Sequence, residues 1–378
     1  MLWSNRAMLR LLTANTLVEV KGMRTDYKVL GDYIQLVDQR NRDLSVTNLL
    51  GVSIEKRFIP SIANIVGTDL SNYKIVRTGQ FAYGPVTSRN GEKISIAYLN
   101  SEDCIISSSY TVFEVAKKDE LDSEYLMLWF SRPEFDRYAR YKSHGSVREI
   151  FDWYELCMVE LPVPAIEEQR NIVKAYKAIT DRIALKKQIN DNLEATAQAL
   201  YQEQFIDNSE ISSWKQGTVG DVLQLQRGHD LPRTEMLGGE YPVAGSTGTI
   251  GYHNKFTAEA PVIVMGRSGN IGNPRLYLCN CWTHNTSLYV KQIFHSEPIW
   301  AFYLLKNLNY DGFVGGSAVP TLNRNDVHAY GIAIPPLELQ KSFSEKVMKL
   351  ILLREENLSE IAKLQELQGT ILATISSR

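Results

Sequence analysis

Residues 161–205 read LPVPAIEEQRNIVKAYKAITDRIALKKQINDNLEATAQALYQEQF, and this stretch decides the fold. A short apolar strand leads into a Pro-flanked turn. From Glu167 about 40 residues then follow without Pro or Gly. An unbroken helix of that length spans on the order of 60 Å, far beyond an ordinary globular helix. The pattern returns from Ala333 as AIPPLELQKSFSEKVMKLILLREENLSEIAKLQELQGTILATI. Pro164, Glu167 and Gln169 recur as Pro335, Glu338 and Gln340, a constant shift of 171. Gly145-Ser146 recurs as Gly316-Ser317 at the same shift. A solenoid module runs only to a few tens of residues. The repeat therefore implies two copies of a larger unit, each a globular part followed by a long helix.

Both helices are predicted to carry one apolar stripe. In the first it runs through Ile172, Ala175, Ile179, Ile183, Ile189, Leu193, Ala197 and Leu200. In the second it runs through Phe343, Val347, Leu350, Leu358, Ile361, Leu364 and Ile371. Steps of three and four place these side chains on one face. Each stripe has little else to bury it, so the simplest solution is mutual burial as an antiparallel two-helix coiled coil. Two separate coiled coils, each with a foreign helix, are the alternative.

The chain has 378 residues, which suits two domains with linkers, and its 44% hydrophobic and 22% charged content is that of a water-soluble globular protein. Net charge is −2 and excludes nothing. The four cysteines, Cys104, Cys157, Cys279 and Cys281, show no zinc or redox spacing. With no secretory signal visible, they read as reduced, cytoplasmic thiols. No apolar run approaches the roughly 20 residues of a membrane span, so no membrane partner is expected. Residues 1–26 fall outside the repeat. Either Met23 is the true start or the leading residues add a short helix.

The two globular units open alike, at Gly31-Asp32 and Gly220-Asp221, each followed by an apolar strand (Tyr33 to Val37; Val222 to Leu225). Gly suits a turn or helix start there. Further inside, Phe81 to Gly84 corresponds to Ile263 to Gly266, a strand ending at Gly. Ile94 to Leu99 corresponds to Arg275 to Leu278, the returning strand. Thr111 to Val115 corresponds to Thr286 to Val290, and Tyr125 to Phe130 to Trp300 to Leu305, an aromatic amphipathic helix. The ends of the unit match while its middle varies in length. The fold class is α+β: two mixed globular domains on two long helices.

Catalytic signatures are absent from this reading. Gly245-Ser-Thr-Gly-Thr-Ile-Gly251 has no lysine and reads as a glycine-rich turn rather than a phosphate loop. No nucleophile elbow, zinc-protease helix, metal-spaced Cys/His cluster or amino-methyltransferase signature appears. His284, in Trp-Thr-His-Asn-Thr, is a candidate ligand or base but reads more readily as structural. The chain looks like a binder, with no cofactor or metal of its own. Bulk charge does not mark a nucleic-acid footprint: residues 207–336 hold nine basic and ten acidic side chains. DNA contact would come from local patches. Two turn-rich basic loops between paired strands supply Ser88, Arg89, Asn90 and Lys93, and Arg267, Ser268 and Asn270. Lys142, Arg148, Arg227, Arg233 and Arg324 complete the candidates. Arg and Asn suit base edges, and hydroxyls and backbone N–H groups suit phosphates.

Leu161-Pro-Val-Pro-Ala-Ile-Glu-Glu-Gln169 and Ile334-Pro-Pro-Leu-Glu-Leu-Gln340, with the upstream Gly-Ser elements, resemble the specificity subunit of type I restriction-modification systems. Tyr241 to Gly251 also looks typical of that family. The resemblance covers about residues 27–378; Leu339 stands where the first copy has Glu168. It implies target-recognition domains at 27–165 and 207–336, each reading half of a split double-stranded DNA target. Helices at 166–206 and 337–378 would be the spacer. It further implies docking of adenine methyltransferase subunits, two of them, with Glu167, Gln169, Glu338 and Gln340 as partner contacts. S-adenosylmethionine would reside in those subunits, and restriction subunits would complete the complex. Two rival readings stand beside it: a tandem-domain coiled-coil scaffold for protein partners, and a hydrolase using His284 with Asp221 in the second copy.

Overall fold

The computed structural model describes residues 27–61, 67–88, 91–145, 148–310, 313–315 and 321–376. The expected N-terminal extension (1–26), Arg89, Asn90, Ser146, Gly316 and Ser317 lie outside the described residues. The chain forms two compact units, Met1–Ile183 with Ala362–Arg378, and Ala184–Ile361.

The strands of the first unit that the second repeats are β1 (Tyr27–Val29), β2 (Ile34–Val37), β3 (Phe81–Tyr83), β4 (Ile96–Tyr98), β5 (Thr111–Val115) and β6 (Glu160–Pro162). Helix α1 (Ser123–Phe130) follows β5, and α2 (Ile166–Tyr201) is the long helix predicted from the repeat. The second unit repeats the plan with β7 (Lys215–Thr218), β8 (Leu223–Arg227), β9 (Tyr241–Gly245), β10 (Gly248–His253), β11 (Val262–Gly266), β12 (Gly272–Tyr277), β13 (Ser287–Ile293), α3 (Pro298–Lys306) and β14 (Gly331–Ile334). The second long helix is α4 (Leu337–Ser376). Each unit is built on a four-stranded sheet, ordered β2-β5-β3-β4 in one and β8-β13-β11-β12 in the other. Chain rank is the same in both: first, fourth, second, third. All neighbours are antiparallel. A two-stranded ribbon closes each unit, β1 on β6 and β7 on β14. The sequence correspondences therefore mark equivalent strands.

The paired Gly-Asp openings have a packing cause. A Cβ on Gly31 would sit 3.0 Å from Cys157 Cβ, and one on Gly220 would sit 3.2 Å from the His328 carbonyl oxygen. Cys157 and His328 are themselves 171 apart. The adjacent amides repeat as well: Leu30 N–H donates to Val159 O (2.8 Å), Val219 N–H to Tyr330 O (2.9 Å). Glycine lets the start of each unit lie against the short helix near its end, Trp153–Cys157 or Arg324–His328. Those helices share their cap design, Asp152 accepting from Glu155 N–H and Asn323 from Asn325 N–H.

The helices run antiparallel, and their seam follows the predicted stripe except at Ile189 and Leu358. In the second unit Arg354 pairs with Glu194 (2.8 Å), Asn357 Nδ2 donates to Asn190 Oδ1 (2.9 Å), and Lys186 pairs with Glu360 (2.7 Å). One helix is read upward as the other is read downward. In the first unit Gln368 Nε2 donates to Thr180 Oγ1 (2.7 Å). Ile189 and Leu358, expected in the stripe, are exposed, and their neighbours Asn190 and Asn357 are buried instead. The seam follows a heptad through Gln169, Tyr176, Ile183, Asn190 and Ala197, and two interleaved heptads in the second helix, Gln340, Val347, Arg354, Ile361, Gln368 and Ile375 with Phe343, Leu350, Asn357, Leu364 and Ile371. A seven-residue repeat keeps a supercoiled face in register. Lys186 Nζ also donates to Asn357 Oδ1 (2.8 Å). These two positions are 171 apart, so equivalent points of the two copies meet at this polar layer.

The helices also complete each globular core. Val173, Ile172, Leu372 and Ile375 pack with Phe81, Phe113 and Phe130 in the first unit. Ala197, Tyr201, Phe205, Phe343, Val347 and Ile351 pack with Trp300 and Tyr303 in the second.

Two predictions concern stability. Asn357→Leu strands Asn190 and Lys186 without their shared partner, and should cost about 1–3 kcal/mol in chemical unfolding. Adding Asn190→Leu should recover part of that, visible as coupling in a double-mutant cycle. The second concerns His328, whose Nε2 accepts from Leu225 N–H (2.8 Å) at the β8 bulge. Burial, then Arg324, depresses its pKa. The neutral ring is the folded form, so its contribution is present above the ordinary histidine pKa of about 6.5 and fades as pH falls below it. Thermal unfolding should show this loss in the wild-type chain, and His328→Gln should flatten it.

Candidate nucleic-acid interface

In the second unit, residues 283–287 form a hub joining three other loops. The segment after β8 is stitched to it by Gly228 N–H to Ser287 O (3.0 Å) and His229 N–H to Thr283 O (2.7 Å). Gly228 is obligatory, because a Cβ there would lie 2.1 Å from His284 O. The β11–β12 loop is stitched by Arg267 N–H and Ser268 N–H, both donating to Thr286 O (3.0 and 3.3 Å). The β9–β10 turn joins through Ser246 N–H to Thr286 Oγ1 (3.4 Å) and Asn270 Nδ2 to Ser246 O (3.3 Å). Leu322 N–H donates to Arg267 O (2.8 Å), which ties in the segment leading to Arg324.

Arg267, Ser268 and Asn270 are thus gathered, as the sequence predicts. Arg267 is half-buried, with Nε donating to Asn285 O (3.3 Å), and the Asn270 amide oxygen accepts from Asn273 Nδ2 (2.7 Å). Arg227 lies on the adjoining segment, 3.9 Å from Asp230. Arg233 is exposed in a turn after Leu231, whose carbonyl contacts His284 Nε2 at 3.3 Å. Arg324 is exposed at the start of its short helix.

In the first unit the β3–β4 connection is stitched to residues 143–151. Thr87 N–H donates to Glu149 O (2.9 Å), Thr87 Oγ1 to Ser143 Oγ (2.9 Å), and Phe151 N–H to Pro85 O (2.8 Å). This carries Ser88, Lys142 and Arg148 to one edge. Lys142 is ion-paired with Glu155 (3.2 Å), whose hydrogen bond raises the lysine pKa. Gly145, at φ +134°, has no room for a Cβ beside Arg148 O, which fixes this turn. Lys93 is not part of the edge. It pairs with Glu55 (2.9 Å) and lines a groove of about 930 Å3 with Tyr98, Met127 and Tyr176.

Sequence reasoning did not single out Ser246, Asn285, Thr286 or Asp230 as members of the site. The polar run Thr-His-Asn-Thr just before an alternating strand was the available signal. His284 is structural: Nδ1 contacts Thr286 Oγ1 (2.9 Å) and Nε2 contacts Leu231 O. Asp221 is committed to a capping box, accepting from Thr218 N–H (2.7 Å) and Oγ1 (3.0 Å). Those bonds hold its carboxyl below the usual range. The His284–Asp221 dyad is therefore not formed.

The expected partner contacts divide. Gln169 is fully buried: its Oε1 accepts from Asp122 N–H (2.9 Å) and its Nε2 donates to Glu120 O (2.8 Å) and Pro164 O (2.7 Å). Gln340 repeats this, accepting from Glu297 N–H (3.0 Å) and donating to Pro335 O (2.9 Å). Both amides fasten a long helix to the start of α1 or α3, so neither faces a partner. Glu167 and Glu338 are exposed. Among the described residues, no group of His, Cys, Asp and Glu could hold a metal, and no helix is long and apolar enough to cross a membrane.

Comparison with known proteins agrees with this geometry. The family described as the type I restriction modification DNA specificity domain matches residues 61–195 and 211–366, one match per repeat. The type I restriction enzyme MjaIX specificity subunit of Methanocaldococcus jannaschii is 24% identical over 300 residues, 68% of this chain and 69% of that one. The HindI specificity subunit of Haemophilus influenzae is 23% identical over 184 residues, 48% and 39% of the two chains. Among solved structures, the type I restriction-modification S subunit from M. genitalium superposes with a TM-score of 0.62 at 14% identity, covering 95% and 98% of the chains. A chain from a structural study of type I restriction-modification complex assembly gives 0.50 at 16% identity, covering 94% and 98%. With both repeats matched by one family and the same fold in its solved relatives, the chain belongs to the type I restriction-modification DNA specificity family.

Proposed function

We propose that this chain is the DNA-recognition subunit of a type I restriction-modification complex and itself performs no catalysis. The observation that carries the reading is the internal repeat: one sheet topology built twice, each copy ending in loops of different length and composition. Residues 27–165 and 207–336 are the two target-recognition domains, and each reads one half of a split duplex target. Helical segments 166–206 and 337–378 are the spacer. Recognition falls to the loop clusters: Ser88, Lys142 and Arg148 in the first domain, and Arg227, Arg233, Arg267, Ser268, Asn270 and Arg324 in the second. Guanidinium and amide groups fit base edges, while hydroxyls and loop N–H groups fit phosphates. Arg89 and Asn90 belong to the same proposal by sequence, and Lys93 contributes from the neighbouring groove.

The partners are methyltransferase subunits, two per chain, which hold S-adenosylmethionine, and restriction subunits. Glu167 and Glu338, exposed on the first turns of equivalent helices, are the proposed docking carboxylates. The setting is the cytoplasm, where the four free cysteines remain reduced. No observation favours a scaffold for unrelated protein partners.

Methylation sequencing of DNA from cells expressing this chain with its methyltransferase subunit tests the reading. A split motif with modified adenines on both strands, lost when this chain is omitted, is expected; complex formation without any motif would refute it. A second prediction addresses the spacer. Deleting one heptad from each long helix removes about 10 Å of helix, equivalent to about three base pairs. The gap between half-sites should shorten by about that amount while both half-site sequences stay the same. Altered half-site bases would overturn the ruler role.

A further inference from the structure

The hub of the second unit presents an acidic group where the proposed DNA surface is otherwise basic. Asp230 Oδ1 accepts from Asn285 Nδ2. The Arg227 guanidinium lies 3.9 Å from the same oxygen, and Arg267 Nε donates to the carbonyl of Asn285 on the other side. A carboxylate and an amide thus stand between two arginines on adjoining loops. The Asp230 side chain is 77% exposed, so the ion pair does not bury it. The loops beneath are held by backbone bonds, and Gly228 is pressed against His284 with no room for a side chain.

We propose that Asp230, oriented by Asn285, is a specificity-determining residue of the second domain that reads an exocyclic base amine, cytosine N4 or adenine N6. The inference rests on the DNA-recognition reading above. An ionised carboxylate only accepts hydrogen bonds and repels phosphate, so on a DNA-facing surface its partner is a base-edge donor. In the major groove those donors are the amines of cytosine and adenine. The flanking arginines contact phosphate or guanine and compensate the carboxylate's own repulsion from the backbone. Holding the loops in place before binding removes the ordering cost that exposed loop contacts otherwise carry. A purely structural role, with Asp230 bracing Asn285 and Arg227, predicts different behaviour.

The test uses the whole chain with its methyltransferase partner and reads the methylated motif for wild type, Asp230→Ala and Asp230→Asn. Under the proposal, Asp230→Ala relaxes one base position in one half-site. Preference for the correct base there falls about tenfold to a hundredfold, and the other half-site is unchanged. Asp230→Asn nearly keeps the volume and an acceptor for Asn285, so it guards against a folding defect; it should change the preferred base at that same position. An unchanged motif with uniformly weaker modification would identify a brace and overturn the proposal. So would stronger binding to all sequences alike, which would place Asp230 against phosphate. If the wild-type chain directs no split motif, the recognition reading itself fails, and this inference with it; a wild-type motif with insensitive variants overturns this inference alone.

Discussion

A helix with one apolar stripe cannot stand alone in water, and the rest of this structure follows from how two such helices are covered. They bury their stripes along an antiparallel heptad seam and, near their ends, within the globular cores. Val173 and Ile375 belong to the aromatic core of one unit, and Tyr201 and Phe343 to that of the other. Each unit therefore needs a segment of both helices to close its own core. Removing either helix would expose apolar surface in both units, so the repeat is cooperative although its copies are far apart in sequence.

Partway along, the seam changes chemistry. Asn190, Asn357 and Lys186 replace apolar side chains, and Glu360 and Arg354–Glu194 flank them. A buried amide pair contributes less stability than two leucines would, but it matches only one pairing partner. Polar seam positions of this kind fix register and orientation in coiled coils. Here the layer lies where equivalent positions of the two copies meet, so a single polar contact serves both repeats.

The proposed recognition surfaces follow a different rule. Net charge is close to zero, and the second unit is as acidic as it is basic, so attraction to DNA cannot come from a general field. Charge is instead arranged locally, on loops fixed by backbone bonds to the sheet. The shared frame tolerates this variation because its own requirements are few: a glycine at each opening, a capped short helix beneath it, a glutamine fastening each long helix, and one sheet order. Loops between those points can change length without disturbing the core, as a reader of varied sequences requires.

The repeat, the two long helices, the equivalent strands and the absence of a catalytic motif were all legible from the chain. They depend on periodicity, on Pro and Gly punctuation and on spacing, which are local or self-referential properties of a sequence. The place of Arg267, Ser268 and Asn270 in a loop between two paired strands was legible as well, because such a loop must lie at a sheet's end. Three matters were decided only by tertiary structure. Within the seam Asn190 and Asn357 are buried while Ile189 and Leu358 face out, since the partner helix as well as hydropathy chooses the buried face. The family resemblance made Gln169 and Gln340 candidate partner contacts, but their buried amides fasten each helix to its domain. Asp230 and Asn285 became neighbours through a pairing 55 residues apart, driven by Gly228 packing on His284. Local pattern specifies elements and their ends; which side chains from distant elements meet is set by packing, where every contact depends on all the others.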